Sequence, residues 1–314
     1  MKNLLLHGAV VAVLFVVQFV ASDYAVLTLT RIMVLAVYAA GYNLLFGYAG
    51  LLSLGHAMFF ATGLYSAALG VTLGGWPVPV AFVAAIAAGV MASLVMGAIT
   101  LRASGVAFMI VTLMFSQAAF LTVLYFGAYT RGDEGIVISE AQRQFSFLGS
   151  QVDLTSPSVR YNLALALLAL AVAAILALIG SRFGHVLVAI RENENRTTML
   201  GYDVMRYKLT AFVISGTLAA ASGAAYALMF AYAGSTLASI QYSIHPLLWT
   251  LLGGAATVLG PVLGTGLMFV LVDLASSFTN ASLLMVGAVL IALVLFFPKG
   301  ILGSLRQRFL PWLA

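Results

Sequence analysis

Within residues 41–70, GYNLLFGYAGLLSLGHAMFFATGLYSAALG, the polar groups of Asn43, Ser53, His56 and Thr62 stand among the rings of Tyr42, Tyr48, Phe59, Phe60 and Tyr65. Such a series offers hydrogen bonds and aromatic faces without a fixed charge, a lining suited to a weakly polar solute. The same groups also act as hydrogen-bonding glue between membrane helices, the more frequent role for any one of them. Trp249, Gly253 and Gly254 form a second candidate stretch in the other half of the chain.

Other chemistry is missing from the sequence. A P-loop needs Gly-Lys-Ser/Thr, so that the lysine reaches the phosphates and the hydroxyl holds magnesium. The three lysines, Lys2, Lys208 and Lys299, are followed by Asn, Leu and Gly. His7, His56, His185 and His245 are dispersed, with no HExxH pair, and there is neither a GxSxG elbow nor a cysteine. Reaction chemistry in this chain is therefore not expected, and ATP is not bound by the P-loop route. Ionisable groups inside spans cost roughly 2.5–3.5 kcal/mol at mid-bilayer and are functional candidates by default. Arg31 is expected to snorkel from the outer part of the second apolar run, and Asp273 to find an interfacial or intramolecular partner near the outer end of the ninth. With only His56 deep in a run, little machinery for proton coupling is visible. The energy for any active transport is expected to come from another subunit.

These residues must be positioned by membrane helices. The chain is 63% hydrophobic and 7% charged, against roughly 45–50% and 25% in soluble domains. A span takes about 20 mostly apolar residues, and ten such runs begin near Leu4, Tyr24, Leu51, Val78, Val106, Tyr161, Leu209, Pro246, Pro261 and Ser282. The expected fold is an all-α polytopic membrane protein of about ten transmembrane helices, some broken or short, in a single domain over residues 1–314. Its net charge of +5 reflects basic residues at the ends of apolar runs, which points to topology rather than nucleic acid. Lys2, Arg102, the cluster from Arg182 to Lys208, and Lys299, Arg306 and Arg308 should lie in the cytoplasm. Ten crossings place them all there, with both termini cytoplasmic and residues 128–158 as an outer loop. The first run, Leu4 to Val20, also resembles a signal peptide, with Ala21 and Ser22 behind it; its removal would leave nine spans with unchanged orientation. Runs two to five begin outside and runs seven to ten inside, the plan of an inverted repeat. Runs three and eight correspond, and both are interrupted by glycine. These glycines mark a pathway, close helix packing, or both.

Residues 181–208 stand apart from this apolar background. From Arg182 to Lys208 the chain gathers five of its 14 basic and three of its 9 acidic residues. AIRENENRTTML, residues 189–200, predicts a short surface helix in which Glu192 and Arg196, spaced i,i+4, pair on one face. Gly201 is placed as its C-terminal cap, and Tyr202 to Lys208 reads as a polar turn into run seven. A docking helix and a solvated linker share this composition.

At these residues the sequence resembles the permease subunits of bacterial ABC importers for branched-chain amino acids, the LivM type. The resemblance is carried by SRFGHVLVAIRENENRTTMLGYDVMRYKLTAFVISGTLAAASGAAYA (181–227), GYNLLFGYAGLLSLGHAMFF (41–60) and LLGGAATVLGPVLGTGL (251–267), within a likeness from about residue 24 to 303. It implies a coupling helix docking on a cytoplasmic ATPase, around Ala189, Arg191, Glu192, Asn193, Glu194, Asn195, Arg196 and Gly201. It also implies a homologous second permease, more often distinct than identical, two ATPase subunits, and a periplasmic solute-binding protein. ATP and magnesium would belong to the ATPase, leaving no cofactor or metal in this chain. One departure stands in the outer loop: where the family carries a Gly-rich motif, this chain has TRGDEGI (130–136), with Arg131 in a glycine position.

The expected function is that of a permease subunit in the bacterial inner membrane. It would translocate a small organic solute, a branched-chain or other hydrophobic amino acid first, and urea or short amides as the alternative within the family. A stand-alone secondary carrier or facilitator fits the broken runs equally but leaves the charged segment without a task. A membrane enzyme or purely structural subunit lacks, respectively, catalytic groups and a use for a solute pathway.

Overall fold

The computed structural model describes residues 2–147, 150–278, 281–297 and 299–308; the expected positions of the two chain termini lie outside these. Each of the ten apolar runs contains a helix. They are α1 (Lys2–Val17), α2 (Asp23–Asn43), α3 (Ala57–Thr72), α4 (Val78–Thr100), α5 (Gly105–Tyr125), α7 (Pro157–Gly180), α10 (Val204–Phe230), α11 (Ile240–Gly253), α12 (Gly260–Phe278) and α13 (Ser282–Phe296). Between them come a single turn α6 (Gly127–Thr130), the charged-segment helices α8 (Arg182–Glu192) and α9 (Glu194–Met199), and a final α14 (Gly300–Arg308). Among the described residues, six helices are long and apolar enough to cross a membrane unaided: Asp23–Tyr48, which includes a π-helical turn, Val78–Thr100, Gly105–Tyr125, Pro157–Gly180, Val204–Phe230 and Gly260–Ser277. The protein is an all-α, multi-pass membrane protein.

The centre of the bundle is α2 and α10, whose most apolar stretches are 67% and 72% buried against 17% for α5. Lipid tails are as apolar as leucine, so membrane helices gain by close backbone approach rather than by hiding apolar area. α10 supplies the necessary small residues, Gly216, Ala219, Ala220, Gly223, Ala224 and Ala227, and packs most extensively on α3, α4 and α2. A Cβ at Gly63 of α3 would run into the Ala220 carbonyl, and one at Gly223 into the Phe60 carbonyl.

Most of the basic residues gather at one end. Gly97, near the end of α4, lies against Leu209 and Phe212 in the first turns of α10, which places adjacent Arg102 beside the charged segment. α1 meets the start of α7 through Tyr161 Oη donating to Leu14 O, so Lys2 falls at the opposite, basic end. α14 packs on Gly254 and sends Arg306 Nη1 to Ala256 O at 3.1 Å. The other end carries Arg131, Arg143, Arg160 and the loop expected over residues 128–158. Here β1 (Ile136–Val137) pairs antiparallel with β4 (Tyr232–Ala233), and β2 (Gln144–Phe147) with β3 (Ser150–Asp153). Thr155 N–H donates to Asp153 Oδ1 at 2.7 Å, and this bond holds the exposed carboxyl below its ordinary pKa.

Runs three and eight are half helix and half extended chain, in opposite senses. Run three leaves the basic end through the non-helical residues 49–55, and its helix, α3, starts at Ala57 rather than near Leu51. Run eight leaves the loop end through β4 and the 3-10 turn Ser235–Ala238, and α11 starts at Ile240, earlier than expected. Pro246 therefore sits inside α11 instead of opening it. The N-termini of the two half-helices meet: Ala57 N–H donates to Ser243 Oγ at 2.9 Å, and Ser243 Oγ lies 3.3 Å from Ser116 Oγ, near the middle of α5. An unpaired first-turn N–H of α3 is thus satisfied by the other half of the chain.

The charged segment corrects one expectation. Residues 189–200 do not form one helix, because Asn193 adopts φ −159°, ψ 102°, ends α8, and caps α9 by accepting the Arg196 N–H at 2.9 Å. The break removes Glu192 and Arg196 from a common helix face, so their i,i+4 pair is absent. Glu192 pairs with Arg191 at 2.8 Å, and Glu194 pairs with Lys208. Gly201, at φ +87°, follows α9 as expected. The anticipated polar turn becomes the first turn of α10, capped by Asp203 and joined to it by an Arg206–Asp203 pair.

Candidate functional site

α8 lays its buried face, Val186, Leu187 and Ile190, on the basic end of the bundle. Arg191 goes deeper. Its Nη1 donates to Gly47 O at 2.6 Å, in the π-helical turn Leu44–Tyr48 that ends α2. Its aliphatic stem crosses Gly50, where a Cβ would approach Arg191 Cγ to 2.7 Å. Gly47 in turn abuts Ala256 in the turn between α11 and α12. Asn43 clamps that turn, donating to Thr257 O at 2.9 Å and accepting the Ala256 N–H at 3.0 Å. The charged segment, the end of α2 and the end of run eight are therefore joined at one point. Beyond it α9 projects, with Glu194 and Asn195 exposed and Met199 and Leu200 85% and 75% exposed.

Midway through the bundle lies an aromatic cluster. His56 is fully buried, with Nε2 at 3.0 Å from Ser215 Oγ. That hydroxyl gives its proton to Gly41 O, so it accepts from His56 Nε2–H, and Nδ1 has no partner among the described residues. Tyr38 is the hub, stacked on His56 at 5.9 Å and on Tyr242 at 6.0 Å, and edge-on to Trp249 at 6.4 Å. Phe59 packs against Phe212, and Phe60 against Tyr38, Tyr226 and Tyr242.

The structure thus brings His56, Phe59, Phe60 and Trp249 together. Ser53 is buried close by, its carbonyl taking the Tyr42 hydroxyl at 3.0 Å. Thr62 turns its hydroxyl back to Met58 O on its own helix. Asn43, Gly253 and Gly254 lie instead at the basic end, where Gly253 and Gly254 permit contact with Gly260 and with α14.

One cavity beside the cluster, of about 220 Å³, is lined by Trp249 together with residues outside the expected pathway: Arg31, Tyr226, Tyr242, His245 and Phe269. The exposed Arg31 guanidinium lies 5.2 Å from the centroid of the Phe230 ring at the end of α10. Asp273 accepts the Tyr24 hydroxyl at 2.8 Å. Tyr242, His245 and Trp249, spaced i, i+3 and i+7, were legible as one face of a helix. Tyr38 and Ser215 carried no comparable signal.

Two half-helices meeting inside a multi-pass bundle, with a charged segment fastened to its end, follow the plan of membrane translocation proteins. Residues 24–297 match the family described as branched-chain amino acid transport system / permease component, and the chain belongs to it. It is 30% identical over 319 residues to the high-affinity branched-chain amino acid transport system permease protein LivM of Escherichia coli (strain K12), covering 94% of this chain and 72% of that one. It is also 30% identical, over 315 residues, to LivM of Salmonella typhimurium (strain LT2), covering 92% and 72%. A probable LivM of Methanocaldococcus jannaschii is 33% identical over 91 residues, covering 28% of this chain and 26% of that one. No solved structure matches significantly. The chain is a transport permease subunit.

Proposed function

We propose that this chain is the membrane-spanning subunit of an ABC importer that moves a small organic solute, first a branched-chain or other hydrophobic amino acid, across the bacterial inner membrane. A separate pair of ATPase subunits, holding ATP and magnesium, drives it. A homologous second permease completes the pathway, and a periplasmic binding protein delivers the solute to the loop end. The charged segment, residues 181–208, and both chain termini face the cytoplasm, in keeping with the gathering of basic residues at that end. The outer loop of residues 128–158 is periplasmic.

The observation that carries this reading is the Arg191–Gly47 bond. α9 offers an exposed apolar tip, Met199 and Leu200, for an ATPase cleft, while α8 is tied through Arg191 to the turn that ends α2 and touches the end of run eight. An ATPase can shift inward and outward populations only by contacting the two states differently. A rigid link from docking tip to helix ends is the means of doing so. His56, Phe59, Phe60 and Trp249 belong on this reading to the pathway or its immediate wall, with Ser53 and Thr62 supporting them.

Two variants separate docking from coupling. Met199→Asp with Leu200→Asp should release the ATPase from the purified complex. Arg191→Glu should leave the complex assembled, and ATP hydrolysis running, while uptake into proteoliposomes falls at least tenfold. Unchanged uptake in Arg191→Glu would refute the coupling assignment. Transport by this chain alone, without ATP, would support a secondary carrier instead.

A further inference from the structure

The cavity beside α11 holds a combination that the permease reading does not require. Arg31, Leu35, Leu237, Trp249, Met268 and Phe269 line an open-sided cavity of about 220 Å³ between α2, α10, α11 and α12. Its walls are aliphatic and aromatic except for one fixed charge. Arg31 is exposed, its guanidinium over the face of Phe230, and makes no ion pair among the described residues. The neighbouring carboxylate, Asp273, is hydrogen-bonded to Tyr24 and lies beyond ion-pair distance of Arg31. A second donor is also unused: Trp249, 4% exposed, has an indole N–H without a partner among the described residues.

A guanidinium presents a planar fork matched to a carboxylate, and the apolar walls beside it suit an apolar side chain. A volume below the roughly 300–1,000 Å³ of drug-sized sites suits a solute of few non-hydrogen atoms. We propose that this cavity binds the solute during passage, Arg31 holding its carboxylate and the Leu35, Leu237, Met268 and Phe269 walls taking a small apolar side chain. This deepens the permease reading and rests on it. It selects an apolar carboxylate-bearing solute over an uncharged urea or short amide, and it makes Arg31 a specificity-determining residue.

The test uses the full chain in lipid nanodiscs, with Trp76→Phe and Trp312→Phe leaving Trp249 as the reporter. L-Leucine should change Trp249 fluorescence saturably, and isovaleramide, a similar apolar group with neither the carboxylate nor the ammonium, should bind far more weakly. Arg31→Gln should weaken leucine binding roughly ten- to a hundredfold, the scale of one charge-assisted hydrogen bond, and leave isovaleramide unchanged. Arg31→Lys should restore part of the loss. Should Arg31→Gln fail to fold, Leu237→Phe, which narrows the cavity without touching the charge or adding a second indole, should still weaken leucine. Equal leucine binding with and without Arg31, tighter binding of isovaleramide, or no leucine response would each overturn the site. ATP-driven leucine uptake by the complete complex judges the permease reading separately, so either can fail while the other stands.

Discussion

Runs three and eight share a plan and differ in how tightly they are held. Both are extended for one half and helical for the other, and their helical halves begin where Ala57 meets Ser243. Run three is sealed: Phe59, Phe60, Ala67 and Ala68 are fully buried, and Gly63 rests on the α10 backbone. Run eight presents Tyr242, His245 and Trp249 to a cavity, and its end is built from glycine turns at Gly254 and Gly260. An inverted repeat need not divide labour equally. The sealed member is suited to hold position, and the open member, joined at its end to Asn43 and to the Gly47 contact of Arg191, is suited to move.

The two runs differ most at Gly63. Gly63→Val would drive its side chain into the Ala220 carbonyl, an atom that α10 cannot withdraw without moving. Overpacking usually costs about 1–3 kcal/mol, and a clash with backbone should exceed that. No monodisperse protein is expected after detergent extraction. On run eight, His245→Ala enlarges the cavity wall and should yield a folded chain with altered uptake. A monodisperse Gly63→Val protein of unchanged thermal stability would remove the contrast.

Ser243→Ala tests the joint between the two runs. It strands the buried Ala57 N–H and takes a partner from Ser116, so unfolding should become easier by about 1–3 kcal/mol. Thr62→Val is the internal control. That hydroxyl bonds within its own helix, and its loss should shift the thermal midpoint much less. Equal shifts in the two variants would mean that the joint adds nothing beyond an ordinary hydroxyl.

Much of this arrangement was legible because hydrocarbon leaves a chain few options: backbone groups must be satisfied internally, so ten apolar runs had to become helices. The start of α3 was not legible. His56 offers no side-chain cap, and the acceptor for Ala57 N–H comes from Ser243, far along the chain. Asn193 was a readable cap, but the i,i+4 spacing of Glu192 and Arg196 argued for an unbroken helix, and capping prevailed. Arg31 was visible as an intramembrane charge. Its surroundings come from α10, α11 and α12, so only the assembled fold reveals them.

The smallest effect concerns how run eight is tethered at the loop end. β1 pairs with β4, and Ser235 Oγ donates to Asp133 at 2.7 Å, so the turn through residues 131–135 holds the extended half of run eight. Arg131 opens that turn at φ +57°, ψ 16°, in the left-handed region that costs a side-chain-bearing residue roughly 1–2 kcal/mol. Arg131→Gly removes this strain but adds freedom to the unfolded chain, leaving an expected gain of about 0.5–1 kcal/mol in thermal stability. Arg131→Ala keeps the strain while removing the exposed guanidinium, and should gain nothing. If the two variants are stabilised equally, charge rather than backbone geometry governs the turn. If only glycine stabilises, the tether on the more open run is held under strain at Arg131.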